Sequence, residues 1–170
     1  MKRHPALLSL SREHHGALVL ALACRRAANS GDAEKIRATR DRAVREFDAD
    51  LAPHFRQEET ALLPLLQQAG QTALVRRTLE EHASLRALAE SLRRHDLAGL
   101  EAFGQALSDH VRFEEQALFP AAERAVPGGL LEAALASQDK LAKTDKAIEF
   151  RQTPLRREIC LPNGTKKSPF

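Results

Sequence analysis

The chain has no tryptophan and no tyrosine, and a single methionine in 170 residues. Without Trp or Tyr, π-stacking is removed as a major binding device. Cys24 and Cys160 lie far apart and form no CxxC pair, which argues against a disulfide framework and suits a reducing compartment. Long apolar runs are missing too. The best stretch near the N-terminus, Ala17 to Cys24, is too short to span a bilayer, and no small-residue cleavage site follows a longer run. β-Branched residues are few, and no segment alternates polar and apolar residues as a half-buried strand does. These absences describe a soluble, cytoplasmic chain with no membrane partner and no sheet.

What is abundant is Ala, Leu, Arg and Glu, all good helix formers. A chain of this length fits one domain, perhaps followed by a tail, and buries roughly 70% of its unfolded surface. The net charge of +3 conceals a division. Residues 1–139 hold 18 Lys/Arg against 20 Asp/Glu, a net of −2, whereas residues 140–170 hold 8 against 3, a net of +5. The first segment reads as the folded domain and the second as a basic, irregular tail. Such a tail is either a solvated end or an attraction for anionic partners. No nucleic-acid-reading module accompanies it, which argues against nucleic acid.

The helices can be placed from periodicity and punctuation. The first runs from Pro5 or Ser11 to Ala28, followed by the loop Asn29-Ser30-Gly31-Asp32. The second covers Ala33 to Ala69, stopped by Gly70, with Pro53 expected to bend or restart it. The third starts at Thr72 as N-cap and reaches Arg94; the fourth covers Leu97 to Ala125, ended by Pro127-Gly128-Gly129. A weaker fifth is expected over Leu130 to Ile148. Four long helices with short connections predict an all-α, up-down antiparallel four-helix bundle.

Residues 54–64 (HFRQEETALLP) and 110–120 (HVRFEEQALFP) are identical at seven of eleven positions. Both contain His-x3-Glu, which puts an imidazole and a carboxylate one turn apart on the same helix face. The apolar stripes decide whether these faces point inward. Val44, Phe47, Leu51, His54, Glu58, Ala61 and Leu65 follow one 3-4 rhythm, and Phe103, Leu107, His110, Glu114, Ala117 and Ala121 another. Val75, Thr78, His82, Leu85, Ala89 and Leu92 form the stripe of the third helix. In the first helix, His14 shares a stripe with Leu7, Leu10, Ala17, Ala21, Cys24 and Ala28 that stays apolar throughout. The stripe of His15 ends in arginine, so His14 is preferred and His15 is the alternative.

Burying unpaired carboxylates costs several kcal/mol at least. Two Glu and four His on core stripes therefore need a compensator, either mutual ion pairing or metal. A repeated motif in register with the seam, joined by two further inward His, favours metal. Six nitrogen and oxygen ligands exceed the need of one tetrahedral zinc. Two ions, each with two His and bridged by both Glu, use all six, in two half-sites of one single His plus one His-x3-Glu related by an approximate twofold. Neutral imidazole suits Fe, Zn, Cu or Ni, while carboxylate favours harder ions; two Fe2+ would fit the set, with Zn or Mn as alternatives. Coordination positions left open would admit O2, NO, peroxide or water.

On these residues the chain resembles the hemerythrin-like, or HHE cation-binding, family. The matching segments are Leu10-Ser11-Arg12-Glu13-His14, His54-x3-Glu58-Glu59 through Pro64, Glu80-Glu81-His82, and His110-x3-Glu114-Glu115 through Pro120, within about residues 6–125. The resemblance implies a four-helix bundle with an oxo- or hydroxo-bridged di-iron centre. His14, His54, His82 and His110 would be terminal ligands and Glu58 and Glu114 bridges. Glu59 and Glu115 would lie outside the ligands or at the surface. Oxygen-carrying hemerythrins have His-x3-His on the third helix, whereas Arg86 follows His82 here. That departure moves the expectation from oxygen storage toward binding or sensing of O2, NO or peroxide. The alternatives are a di-iron oxidoreductase, peroxidase-like or repairing iron–sulfur clusters, and a metal-stabilised regulatory module. Repair proteins of the family carry a cysteine-bearing N-terminal segment, which is not seen before this bundle.

The remaining candidates are assigned structural roles. His4 is expected in solvent and His95 at a helix C-terminus, where a cation offsets the dipole. Cys24 reads as a small core residue. Pro64 and Pro120 are expected to bend or end their helices just past the ligand motifs.

Overall fold

The computed structural model describes residues 3–136, and among them all regular structure is helical, with no strand. Helix α1 (Leu8–Ala28) is entered through a 3-10 turn, Pro5–Leu7, in which Ala6 N–H donates to His4 Nδ1. Helix α2 spans residues 33–68 and is capped by Asp32, whose carboxylate accepts from Glu34 N–H and Lys35 N–H at 3.0 Å each. Helix α3 is Thr72–Arg93, and α4 spans residues 99–125. Helix α1 packs beside α2 and α4, and α3 beside the same two, so consecutive helices are neighbours around a square. A further helix, α5, occupies residues 128–136. It begins earlier than expected; the rest of the expected 130–148 helix, the tail 140–170 and Cys160 lie outside the described residues.

The connections follow from local chemistry. After α2, Gly70 takes φ +77° and the N–H groups of Gly70 and Gln71 return to the carbonyls of Gln67 and Leu66, closing the helix end. The same closure after α3 uses His95 at φ +65°, with His95 N–H on Leu92 and Asp96 N–H on Ser91. A left-handed backbone is strained for a residue with a Cβ. The role of His95 is thus to turn the chain, beyond the dipole contact expected for it.

The prolines do not end their helices. Three wide turns, with an N–H donating five residues back, interrupt α2 and α4 at Phe47–Leu51, Glu58–Leu62 and Glu114–Leu118. Pro53, Pro64 and Pro120 each follow two residues later, and helix resumes through all of them. Proline lacks an N–H and crowds the carbonyl four residues back; the widened turn accommodates both. One extra residue per turn also shifts the buried stripe. Past Glu58 the fully buried positions are Leu62 and Leu66, whereas Leu65 is only partly covered; past Glu114 they are Leu118, Phe119 and Ala122 in α4, whereas Ala117 is only partly covered. Helix α3 has no proline and no wide turn, and it buries the six residues its periodicity predicts.

The core falls into two apolar clusters. One joins Ala17, Cys24, Phe47, Leu85 and Phe103. The other joins Leu7, Leu62, Val75, Phe119 and Leu131. Between them every one of the four helices contributes polar side chains, and these form the candidate centre.

Candidate metal centre

His14, His54, Glu58, His82, His110 and Glu114 are all buried, with exposures of 0–4%. His15 is exposed, which settles the choice between the two neighbours in favour of His14 as the inward residue. The six converge as two overlapping groups: His14 and His54 with both glutamates, and His82 and His110 with the same two glutamates. Within each group one ligand atom per residue lies within 4.8 Å of all the others. The helices explain the pairing. Residues four apart on α2 and on α4 place each Glu below its own His, while α1 and α3 each add one imidazole from the side.

All four Nε2 atoms face the middle. His14 Nε2 lies 3.0 Å from Glu114, His54 Nε2 3.4 Å from Glu58, His82 Nε2 3.3 Å from Glu58, and His110 Nε2 3.4 Å from Glu114. Despite this closeness, both oxygens of Glu58, both of Glu114 and the Nε2 atoms of His82 and His110 have no aligned hydrogen bond. Buried polar atoms seldom go unsatisfied. Six of them aimed at one another are a donor set for cations of a mixed nitrogen and oxygen preference.

The outer nitrogens are held by four further carboxylates. His14 Nδ1 donates to Glu115 at 2.7 Å, His54 Nδ1 to Glu13 at 2.7 Å, His82 Nδ1 to Glu59 at 2.8 Å, and His110 Nδ1 to Glu81 at 2.9 Å. A carboxylate only accepts, so each Nδ1 carries a proton, and Nε2 is the atom on which a metal would replace a second proton. Each carboxylate comes from the preceding helix: α1 serves α2, α2 serves α3, α3 serves α4, and α4 serves α1, closing a ring. Sequence reasoning placed Glu59 and Glu115 outside the ligands but assigned nothing to Glu13 and Glu81. The available signal was the adjacency itself, since each of the four stands next to an inward residue.

Aromatic rings wall the site. Phe55 stacks on His82 at 4.0 Å between centroids and meets His110 edge-on, and Phe119 stacks on His14 at 5.2 Å. Arg86 turns away from the centre and grips Glu59 through both oxygens, at 2.8 and 3.1 Å. No fifth imidazole takes its place among the described residues.

In the metal-free protein, mutual attraction outweighs burial at three of the six residues. Burial opposes the cationic form of His54, but Glu58 and Glu13 overcome it and hold its pKa well above the ordinary value of 6.5. His14 is raised in the same way, with Glu114 and Glu115 outweighing burial. Burial pushes the Glu58 carboxyl up, yet His54 and His82 hold it far below the usual carboxylate range. Outside the ring, burial again opposes ionisation of Glu115, and His14, Ser11 and Arg3 bring it down to about 2. The protons favoured on His14 and His54 thus stand where a cation's charge would.

The family model of the hemerythrin HHE cation binding domain matches residues 7–122. The chain belongs to this family. The matched span runs from the end of the entry turn through Ala122 of α4, and so contains all six converging residues and the ring of carboxylates. No curated protein matches the chain. The hemerythrin-like domain therefore joins an all-helical bundle to a buried cation-binding arrangement. Among the described residues no helix is long and apolar enough to cross a membrane.

Proposed function

We propose that this hemerythrin-like domain holds two iron ions and that the centre binds or senses O2, NO or peroxide. His14 and His54 would hold one ion and His82 and His110 the other, with Glu58 and Glu114 available to both. The observation that carries the reading is the set of buried carboxylate oxygens and Nε2 atoms that face one another without hydrogen bonds. Two ferrous ions would supply electrons in pairs to a bound oxidant. The protein's share is to fix the imidazole tautomers through the outer carboxylates and to exclude water with Phe55 and Phe119. Each ion would find two imidazole nitrogens and the same two carboxylates, a set that would leave positions for a small ligand. That symmetry supports binding or sensing over the storage role of the carriers with an extra histidine.

The test is anaerobic titration of metal-free protein with Fe2+, followed by exposure to O2, peroxide or NO. An uptake of two irons per chain is expected, with near-ultraviolet charge-transfer absorption appearing on oxidation. Uptake of one iron or none would sink the proposal. Sustained peroxide turnover with an electron donor would shift the assignment to an oxidoreductase.

A further inference from the structure

The four carboxylates that orient the imidazoles have different surroundings. Glu59 is clasped by Arg86, and Glu81 by Arg77 Nε at 2.7 Å. Glu115 receives Arg3 and the Ser11 hydroxyl, the latter at 2.6 Å. Glu13 has no such cap. Apart from His54, its hydrogen-bond partner is the Ser9 hydroxyl at 3.4 Å, and no Lys or Arg pairs with it among the described residues. The outer charges around the two histidine pairs therefore differ. His82 and His110 stand before two carboxylates and two arginines, a net of zero. His14 and His54 stand before two carboxylates and one arginine, a net of −1, and that arginine is shared with Glu123 at 3.4 Å.

A carboxylate behind a metal-ligating imidazole raises the ligand's basicity, and a cation against that carboxylate takes part of the effect back. We infer that the two metal positions are unequal: the His14–His54 position takes a dication first, and uncapped Glu13 is the positioning residue that makes it so. The inference rests on the two-metal reading of the cluster.

The probe is Zn2+, added to the full-length metal-free protein with 15N-labelled histidine. The first equivalent is expected to shift the Nε2 resonances of His14 and His54 ahead of those of His82 and His110. Glu13→Gln keeps an acceptor for His54 Nδ1–H and removes the charge; calorimetry should show the first step weakened about tenfold and the second unchanged. Ser9→Arg, at an exposed position, leaves Glu13 intact and sets a guanidinium one turn away; it should weaken the same step about twofold. A first equivalent spread evenly over all four histidines, or an order preserved in Glu13→Gln, overturns the inference and leaves the two-metal reading standing. Failure of the unaltered protein to take two Zn2+ overturns the two-metal reading itself.

Discussion

Replacing Gly104 by alanine sets two helical effects against each other. Glycine in a helix interior costs about 1 kcal/mol relative to alanine, so the substitution should stabilise α4 if space allows. Space does not allow it. A Cβ at Gly104 would lie 2.7 Å from the carbonyl oxygen of Ala21, and 3.0 Å from both Cys24 Cβ and Arg25 Cγ on α1. The nearest atom is backbone, so α1 and α4 must move apart. Overpacking of this kind costs about 1–3 kcal/mol, and a backbone clash belongs in the upper half of that range. The net expectation is a loss of about 1–2 kcal/mol, or roughly 5 °C in Tm for a bundle of this size. Gly16 supplies the control. It lies mid-helix in α1 with nothing within 4 Å of an added Cβ. Gly16→Ala should therefore gain about 1 kcal/mol. Thermal melts of both variants by far-ultraviolet circular dichroism, on metal-free protein, measure the two effects separately. If Gly104→Ala melts at or above the unaltered protein, close contact of α1 and α4 at that point is not a constraint, and the reasoning fails.

Glu58→Ala should release both metals, because its carboxylate belongs to both groups of converging atoms; metal analysis after desalting decides, and retention of two ions would reduce Glu58 to an ion-pair partner. The metal-free protein should be most stable between about pH 4.5 and 6.5. Glu115, depressed in the fold from 4.5 to about 2, contributes fully above 4.5, and its contribution is lost as the pH falls through the folded value. His54 and His14, raised in the fold above 6.5, contribute fully below 6.5 and lose their contribution as the pH rises through their folded values. Metal should abolish the alkaline decline, and melting curves across pH with and without Zn2+ would show it; an unchanged alkaline limb counts against metal replacing those protons. His95→Gly should stabilise the end of α3 by about 1 kcal/mol, since glycine tolerates the left-handed backbone; a lower Tm would mean that the imidazole makes a compensating contact.

Much of the site was legible because a helix has one period and the ligands obey it. The six inward polar residues, the single inward histidine of α1, and the whole buried face of α3 follow from spacing alone. What spacing missed came from departures from the period. The wide turns after Glu58 and Glu114 exchange Leu65 and Ala117 for Leu66 and Leu118 in the core, and a 3.6-residue rhythm has no means of announcing them. The prolines two residues beyond were the visible mark, read as bends or stops and in fact absorbed by the widened turns. Glu13 and Glu81 were missed for another reason: each serves a histidine on a different helix, 41 and 29 residues away, and no local pattern links the two.

That ring of cross-helix contacts has a bearing on how a bound ion would leave. No helix aligns its own histidine; each depends on its predecessor, and the last returns to the first. Detaching one helix therefore withdraws one imidazole and frees the next to rotate. A brief, partial opening at any corner loosens at least two ligands at once, and three where the helix also carries Glu58 or Glu114, well short of unfolding the bundle. The dissociation rate of the metal is then governed by whichever helix opens most readily, and the centre reports on the weakest member of the bundle rather than on its average stability.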